Sequence, residues 1–419
     1  TAYTYPSSNN YGLPTGVAVS ADGDANGTRS TGTTYTADSY FPLAVVNALG
    51  HSATTVVRAR DGQPSSVTDA NGLRTLIDYD AFGFAVKKRF RGATDAVYVA
   101  PDQSMAVSTC PTALCWTPIE RYQVATVQDG SPTTLQRFDA QGRVWADIDL
   151  QMDTGWRYVM REYTALGPLK WQTEPFRVGD PLVYSTYWYD DILGRMTQKR
   201  VPKQGEDGRG DMVTTYSYTG RTTNIQVQGS NDAPGVPGLS LSRTTDSLGR
   251  YVETRDALNG RTRFWYEANG NVAAIEDANS VVTKANYNAI GQRTGVNDPN
   301  QGSWGFAYNA LGEVLAQTDA RGIATTLTYD KLGRPKTRAA TVDVTGDNVA
   351  DAVNDSWIYD PANAKGAPLS DQRTINGGLE RSTAQTYDSL ARPIQSDVTQ
   401  ALASGTQTYR VRTKYDSYY

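Results

Sequence analysis

Histidine is nearly missing from these 419 residues: His51 is the only one. A Ser-His-Asp triad, a Cys-His pair or a multi-histidine metal site would each depend on it or fail. It follows Asn47-Ala48-Leu49-Gly50 and reads as a turn residue. No Gly-x-Ser-x-Gly, phosphate-binding loop or dinucleotide fingerprint occurs. Cysteine is limited to Cys110 and Cys115, too few for a closed zinc site. Outside the cell the pair suits a disulfide closing a small loop, with two reduced thiols as the alternative. No apolar run approaches the ~18 residues of a membrane span. The opening Thr1-Ala2-Tyr3-Thr4-Tyr5 has no initiator Met, basic region or apolar core. The expectation is therefore that a leader was removed or that the chain comes from a longer one. Charge is balanced, 40 Lys and Arg against 44 Asp and Glu, for a net −4. Nothing here attracts nucleic acid or an anionic membrane. Most Asp residues read as turn formers, so no glycosidase carboxylate pair stands out. A non-enzymatic chain is expected.

What is abundant is tyrosine, 26 residues, and glycine, 38. Tyr, Thr and Val favour half-buried strands, and Gly supplies tight turns. The chain reads as all-β. Self-similarity then organises it. Tyr266, Tyr287, Tyr308 and Tyr329 fall 21 residues apart, and Gly249, Gly270, Gly291, Gly312 and Gly333 keep the same phase. Asp256, Asp277, Asp298 and Asp319 hold a third register. Tyr-Asp/Asn-x-x-Gly is a turn, because Asp or Asn bonds backbone two residues on and Gly tolerates positive φ. A strand of about six residues follows, such as 313–318. A second turn opens on Asp, as at Asp319, and a return strand runs over 323–328. One repeat is one β-hairpin. The recurring tyrosines form a row across the sheet, each offering a hydroxyl to neighbouring backbone.

Looser copies include Tyr79-Asp80-Ala81-Phe82-Gly83, Phe138-Asp139-Ala140-Gln141-Gly142-Arg143 and Tyr163-Thr164-Ala165-Leu166-Gly167. Tyr189-Asp190-Asp191-Ile192-Leu193-Gly194-Arg195 carries one extra residue. Tyr329-Asp330 with Gly333, and Tyr387-Asp388-Ser389-Leu390-Ala391-Arg392, complete the set. Near the end Tyr359, Tyr387 and Tyr415 are 28 apart, which implies longer strands or loops around the same turn. Four segments follow: 1–39, an irregular leading part; 40–240, degenerate repeats with insertions; 241–340, regular repeats; and 341–419, the longer-period repeats.

The Y-D-x-x-G-R signature resembles the YD/RHS repeats of bacterial Rhs proteins, wall-associated repeat proteins, the B and C components of Tc toxins, and teneurins. The resemblance runs from about Tyr40 to the end. It implies a curved, spiralling antiparallel sheet, part of a hollow shell that encloses a toxic C-terminal polypeptide. Hairpins laid side by side advance about 10 Å each. The sheet outgrows the ~10 strands an open twisted sheet tolerates, so it must curl. The last residues, Tyr415-Asp416-Ser417-Tyr418-Tyr419, begin another signature, and further repeats are expected beyond them. The Asp-Pro-x-Gly motif of Rhs core ends is absent: Asp298-Pro299 and Asp360-Pro361 lack its Gly. The expected partners are thus an enclosed cargo polypeptide and the remaining repeats, in a protein that is secreted or on a cell surface. An adhesin or spacer binding glycan or protein is the alternative.

Two stretches have calcium-loop character, with solvated turns as the alternative and otherwise no cofactor expected. Asp343, Thr345, Asp347, Val349 and Asp351 occupy alternate positions around Gly346, a spacing that suits a hard cation. Asp22-Gly23-Asp24-Ala25-Asn26-Gly27 begins similarly. Arg209-Gly210-Asp211 reads as a loop tripeptide. Trp145, Trp156, Trp171 and Trp188 read as core or cross-strand aromatics, with a carbohydrate platform as the other reading.

Overall fold

The computed structural model describes residues 1–419 except 6–11, 21–26, 110–120, 152–154, 203–209, 231–237 and 416–419. The described residues form 34 strands and no helix. Every pairing is antiparallel, and almost every strand bonds to the strands before and after it in sequence. Packing divides the chain into two units, one of Thr1–Asp102 with Asn286–Tyr419, the other of Gln103–Ala285.

In the first unit the regular repeats are hairpins. Val314–Thr318 pairs with Ala324–Tyr329, which pairs in turn with Pro335–Val342. The longer period near the end lengthens strands rather than loops. Asp351–Tyr359 has 9 residues, and Gly378–Tyr387 and Pro393–Leu402 have 10 each, against 5 in Val314–Thr318.

Two features give each hairpin sides and twist. Along Ala324–Tyr329, the side chains of Thr325, Leu327 and Tyr329 are half-buried, while Ala324, Thr326 and Thr328 are exposed. The tyrosine-bearing face is the covered one, following the period of two along a strand. The second feature is a register slip just before the tyrosine. Thr328 faces Thr337, but Tyr329 faces Pro335, so one extra residue sits on the outgoing strand. The same slip precedes Tyr308, Tyr359 and Tyr387 here, and Tyr163 and Tyr266 in the second unit. Each is a β-bulge, which bends its strand and increases the local right-handed twist.

The two chain segments of the first unit also meet each other. Arg29 bonds Glu313 through two contacts of 2.6 and 2.9 Å. Asn71 exchanges hydrogen bonds with the Lys365 backbone. Apolar side chains meet there too: Val17 and Val19 line one hollow with Leu311 and Leu332.

The second unit holds the best-packed apolar cluster among the described residues: Trp145, Ala146, Ile148, Met160 and Phe176, with Leu135, Trp156, Tyr158 and Trp171 against it. Register explains the cluster. Leu135 faces Ile148, Ile148 faces Tyr158, and Tyr158 faces Phe176, so one apolar row crosses four strands. Pro175, which has no N–H to give a ladder, interrupts the strand between Leu169–Thr173 and Phe176–Arg177. Glu174 still donates its N–H to the Val183 carbonyl at 2.8 Å, and beyond it Phe176–Arg177 pairs instead with the strand Gly155–Tyr163.

The chain exposes 25315 Å², against roughly 16,000 Å² expected of a compact monomer of this mass.

Candidate functional site: the signature clasp and an aromatic cavity

The signature does more than turn the chain. At Asp246, Oδ1 accepts the backbone N–H groups of Leu248 (2.8 Å) and Arg250 (3.0 Å), and Oδ2 accepts Arg250 Nε (2.7 Å). The Arg250 guanidinium lies 4.4 Å from the ring centre of Tyr266, the tyrosine of the next hairpin. The Tyr266 hydroxyl donates to the Tyr251 carbonyl (2.6 Å). This hairpin is thus clasped to its neighbour by a carboxylate, a guanidinium and a phenol acting in series.

The clasp recurs with the same atoms. Asp139, Arg143 and Tyr163 form it in the second unit, with the hydroxyl on the Val144 carbonyl at 2.8 Å. Asp330, Arg334 and Tyr359 form it in the first, as do Asp388, Arg392 and Tyr415. At Tyr189 the extra residue shifts the role by one. Asp191, rather than Asp190, bonds Arg195 and the Leu193 N–H, and Arg195 lies 3.8 Å from the Tyr218 ring centre. Where the chain has Asn288 or Asn309, Oδ1 still accepts two backbone N–H groups, and Nδ2 donates to Gln292 or Glu313. Asp80 accepts the Phe82 and Phe84 N–H groups, and the Tyr79 hydroxyl donates to the Pro64 carbonyl. The Tyr308, Tyr329 and Tyr387 hydroxyls reach back to the carbonyls of Arg293, Val314 and Pro368. Tyr287 ends its strand. Gly83, Gly194, Gly270, Gly291, Gly312 and Gly333 all take positive φ.

The clasp sets the charge state of its acids. Burial pushes the Asp139 carboxyl up, but the Arg143 amide and guanidinium outweigh it and hold it below the usual range. The Arg195 guanidinium draws Asp191 down to about 2. Asp246 and Asp388 are likewise held low, burial opposing their arginines and losing.

A cavity of about 790 Å³ opens in the second unit beside the apolar row. Met160, Trp171, Tyr184, Trp188 and Leu182 form its apolar walls, and Thr186, Lys170, Arg200 and Asp211 its polar margin. Trp171 faces Thr186 and Thr186 faces Arg200 across the strands, so one row lines the floor. The Trp171 and Tyr184 rings are 5.8 Å apart and tilted by 52°.

Residues 308–346 match the family model of the RHS repeat. An RHS repeat thus lies at 308–346. The chain's fold is that of the Photorhabdus luminescens Tc holotoxin pore structure (TM-score 0.71, 14% identity), which it matches over 93% of its own length and 25% of that chain. The crystal structure of TcdB2-TccC3 matches with TM-score 0.64 at 14% identity, over 88% of this chain and 24% of that one. TcdB2-TccC3 without its hypervariable C-terminal region matches at 0.63 and 13%, over 91% and 27%. The chain therefore spans about a quarter of the length of these solved chains. No curated protein matches its sequence.

The other residues singled out from the sequence fall as follows. His51 Nε2 lies 3.8 Å from Asp360, itself bonded to Arg334. In the 343–351 loop the carboxylates turn inward on the loop's own backbone. Asp343 accepts from Gly346 and Asn348, Asp347 from Val349, and Asp351 from Val344, Thr345 and Asn376. Among the described residues no three His, Cys, Asp or Glu groups converge as a metal ion would need. Cys110, Cys115, Arg209 and residues 22–26 lie outside the described residues. Of the four tryptophans, Trp145 is buried and Trp156 packs on it, while Trp171 and Trp188 line the cavity. Sequence reading missed the arginine's reach to the next tyrosine and the bulge before it. The Gly-Arg pair was the visible signal for the first. The second has no residue signature, since Thr, Ala, Ile and Trp all precede the tyrosine.

Proposed function

We propose that these repeats are a wall segment of an exported bacterial protein whose RHS shell encloses a polypeptide cargo, and that they act structurally rather than by catalysis. The observation that carries the reading is the antiparallel ladder that runs from hairpin to hairpin. The chain exposes far more surface than a compact monomer of its mass, yet successive hairpins are bonded to one another and several are clasped. Such a sheet is closed to a protease because a contiguous hydrogen-bonded backbone leaves no gap for a chain to pass. The likeness in fold to Tc toxin structures supports the reading, as do the balanced charge and the absence of a helix apolar enough to cross a membrane among the described residues.

The test is single-particle imaging of the intact parent polypeptide, with its cargo segment present and deleted. A closed hollow body whose internal density vanishes on deletion is expected. An extended rod or open fibre would sink the shell reading and favour an adhesive spacer.

A further inference from the structure

The walls of the aromatic cavity are not what the repeat requires. Positions one, three and five before a signature tyrosine are small or polar in two of the regular hairpins, Thr328, Thr326 and Ala324 before Tyr329 and Ala307, Gly305 and Ser303 before Tyr308, while a third has Trp265, Arg263 and Arg261 before Tyr266. Before Tyr189 the same three positions are Trp188, Thr186 and Tyr184. Two large aromatic rings thus stand together on one strand, at positions that Ala, Ser or Thr fill in other hairpins. Tyr184 is 48% exposed, so its ring is not committed to a core. Trp171 adds a third ring, and its indole N–H is already bonded to Glu162 (2.5 Å).

The margin narrows the chemistry of an occupant. Lys170 is paired with Glu162 at 2.7 Å, and Arg200 Nε with Asp211 at 2.5 Å. Both cations are neutralised within the protein, so an ionic ligand would have to break a pair to be held. A neutral ligand would not. The paired groups still present donors and acceptors side by side, which matches a hydroxyl, a group that both gives and takes a hydrogen bond. Aromatic walls ask for an apolar face on the same ligand. The volume lies within the range of small-ligand sites, about 300–1,000 Å³.

We infer that this cavity is a saccharide site, taking a neutral pyranose unit with its C–H face on Trp188 and Tyr184 and its hydroxyls toward Thr186, Arg200 and Asp211. The inference goes beyond the shell reading and stands whether or not the sheet encloses a cargo.

The test titrates the purified 419-residue chain with chitotetraose and with maltotetraose, followed by calorimetry and by tryptophan fluorescence. Saturable binding of at least one sugar is expected, insensitive to added salt. Trp188→Leu and Tyr184→Ala should each weaken it by about tenfold or more. Trp265→Leu, at an exposed ring outside the cavity, should leave it unchanged. Circular dichroism verifies the fold of each variant, and Tyr184→Ala removes a half-exposed ring, so it keeps the test open should Trp188→Leu misfold. Failure of both sugars to bind, or binding that survives Tyr184→Ala, would overturn the assignment. So would preference for polygalacturonate or for an aromatic peptide over both neutral sugars.

Discussion

Ala391 stands where the other signature turns have glycine, and it takes φ 59°. The backbone there is held by the Asp388 carboxylate, which accepts the Leu390 and Arg392 N–H groups, so the turn keeps its shape at the expense of the residue. A left-handed conformation costs a residue with a Cβ about 1–2 kcal/mol, and glycine gives back part of that through its greater unfolded freedom. Ala391→Gly should therefore stabilise the chain by about 0.5–1 kcal/mol, read as a higher urea midpoint at an unchanged slope. At the same scale, Asn259 and Ser280 occupy positive φ in second turns, at 63° and 64°. Asp256 and Asp277 brace those turns by accepting the N–H groups two and four residues on. The Asx hydrogen bonds, more than the glycine, define the turn.

Among elements, the kinked strand 169–177 has the most to lose. Phe176 is 6% exposed and packs on Trp145, Ile148 and Met160, closing the apolar row that crosses four strands. Its ring also stacks on Tyr158 at 5.6 Å. Phe176→Ala should cost about 3–5 kcal/mol, the usual loss for a buried aromatic ring. Because repeat arrays gain stability mainly from nearest neighbours, the loss should be local. Hydrogen exchange should accelerate in 134–188 and stay unchanged in the hairpins of 302–342. A uniform acceleration over both would mean that the array melts as one body and that the row has no special place in it.

Over the whole molecule the clasps act together, and pH is the variable that addresses them all. Asp139, Asp191, Asp246 and Asp388 have folded-state pKa values below the ordinary carboxylate value, Asp191 at about 2. A depressed carboxylate contributes stability that is fully present above its unfolded pKa, near 4, and is lost as pH falls through the folded value. The chain should hold its stability from neutrality down to about pH 4 and lose it progressively toward about pH 2. Urea unfolding at a series of pH values measures this. Stability that rose below about pH 4 would contradict the clasp assignments.

Much of this molecule was legible in the residues alone. A strict period of tyrosine, aspartate and glycine specifies a hairpin through local chemistry: the Asx turn, the positive φ and the strand propensities all act within a few residues. That is why the all-β class and the tandem hairpins could be read without coordinates. Within the clasp, too, the Asp-x-x-Gly-Arg span is local, and its turn was visible. What only the tertiary structure decided acts between strands. Alternation along the strands was too weak to rank the two faces, because Ala and Thr pack or face water with nearly equal ease. The folded sheet ranks them: Thr325, Leu327 and Tyr329 are half-buried while Ala324, Thr326 and Thr328 are exposed. The bulge before each tyrosine is a mismatch between two strands and belongs to neither sequence alone. The arginine's partner lies in the next hairpin, and the joint between Arg29 and Glu313 spans 284 positions. Trp145 and Trp188 read alike in the sequence, yet register buries the first in an apolar row and leaves the second at the wall of a cavity.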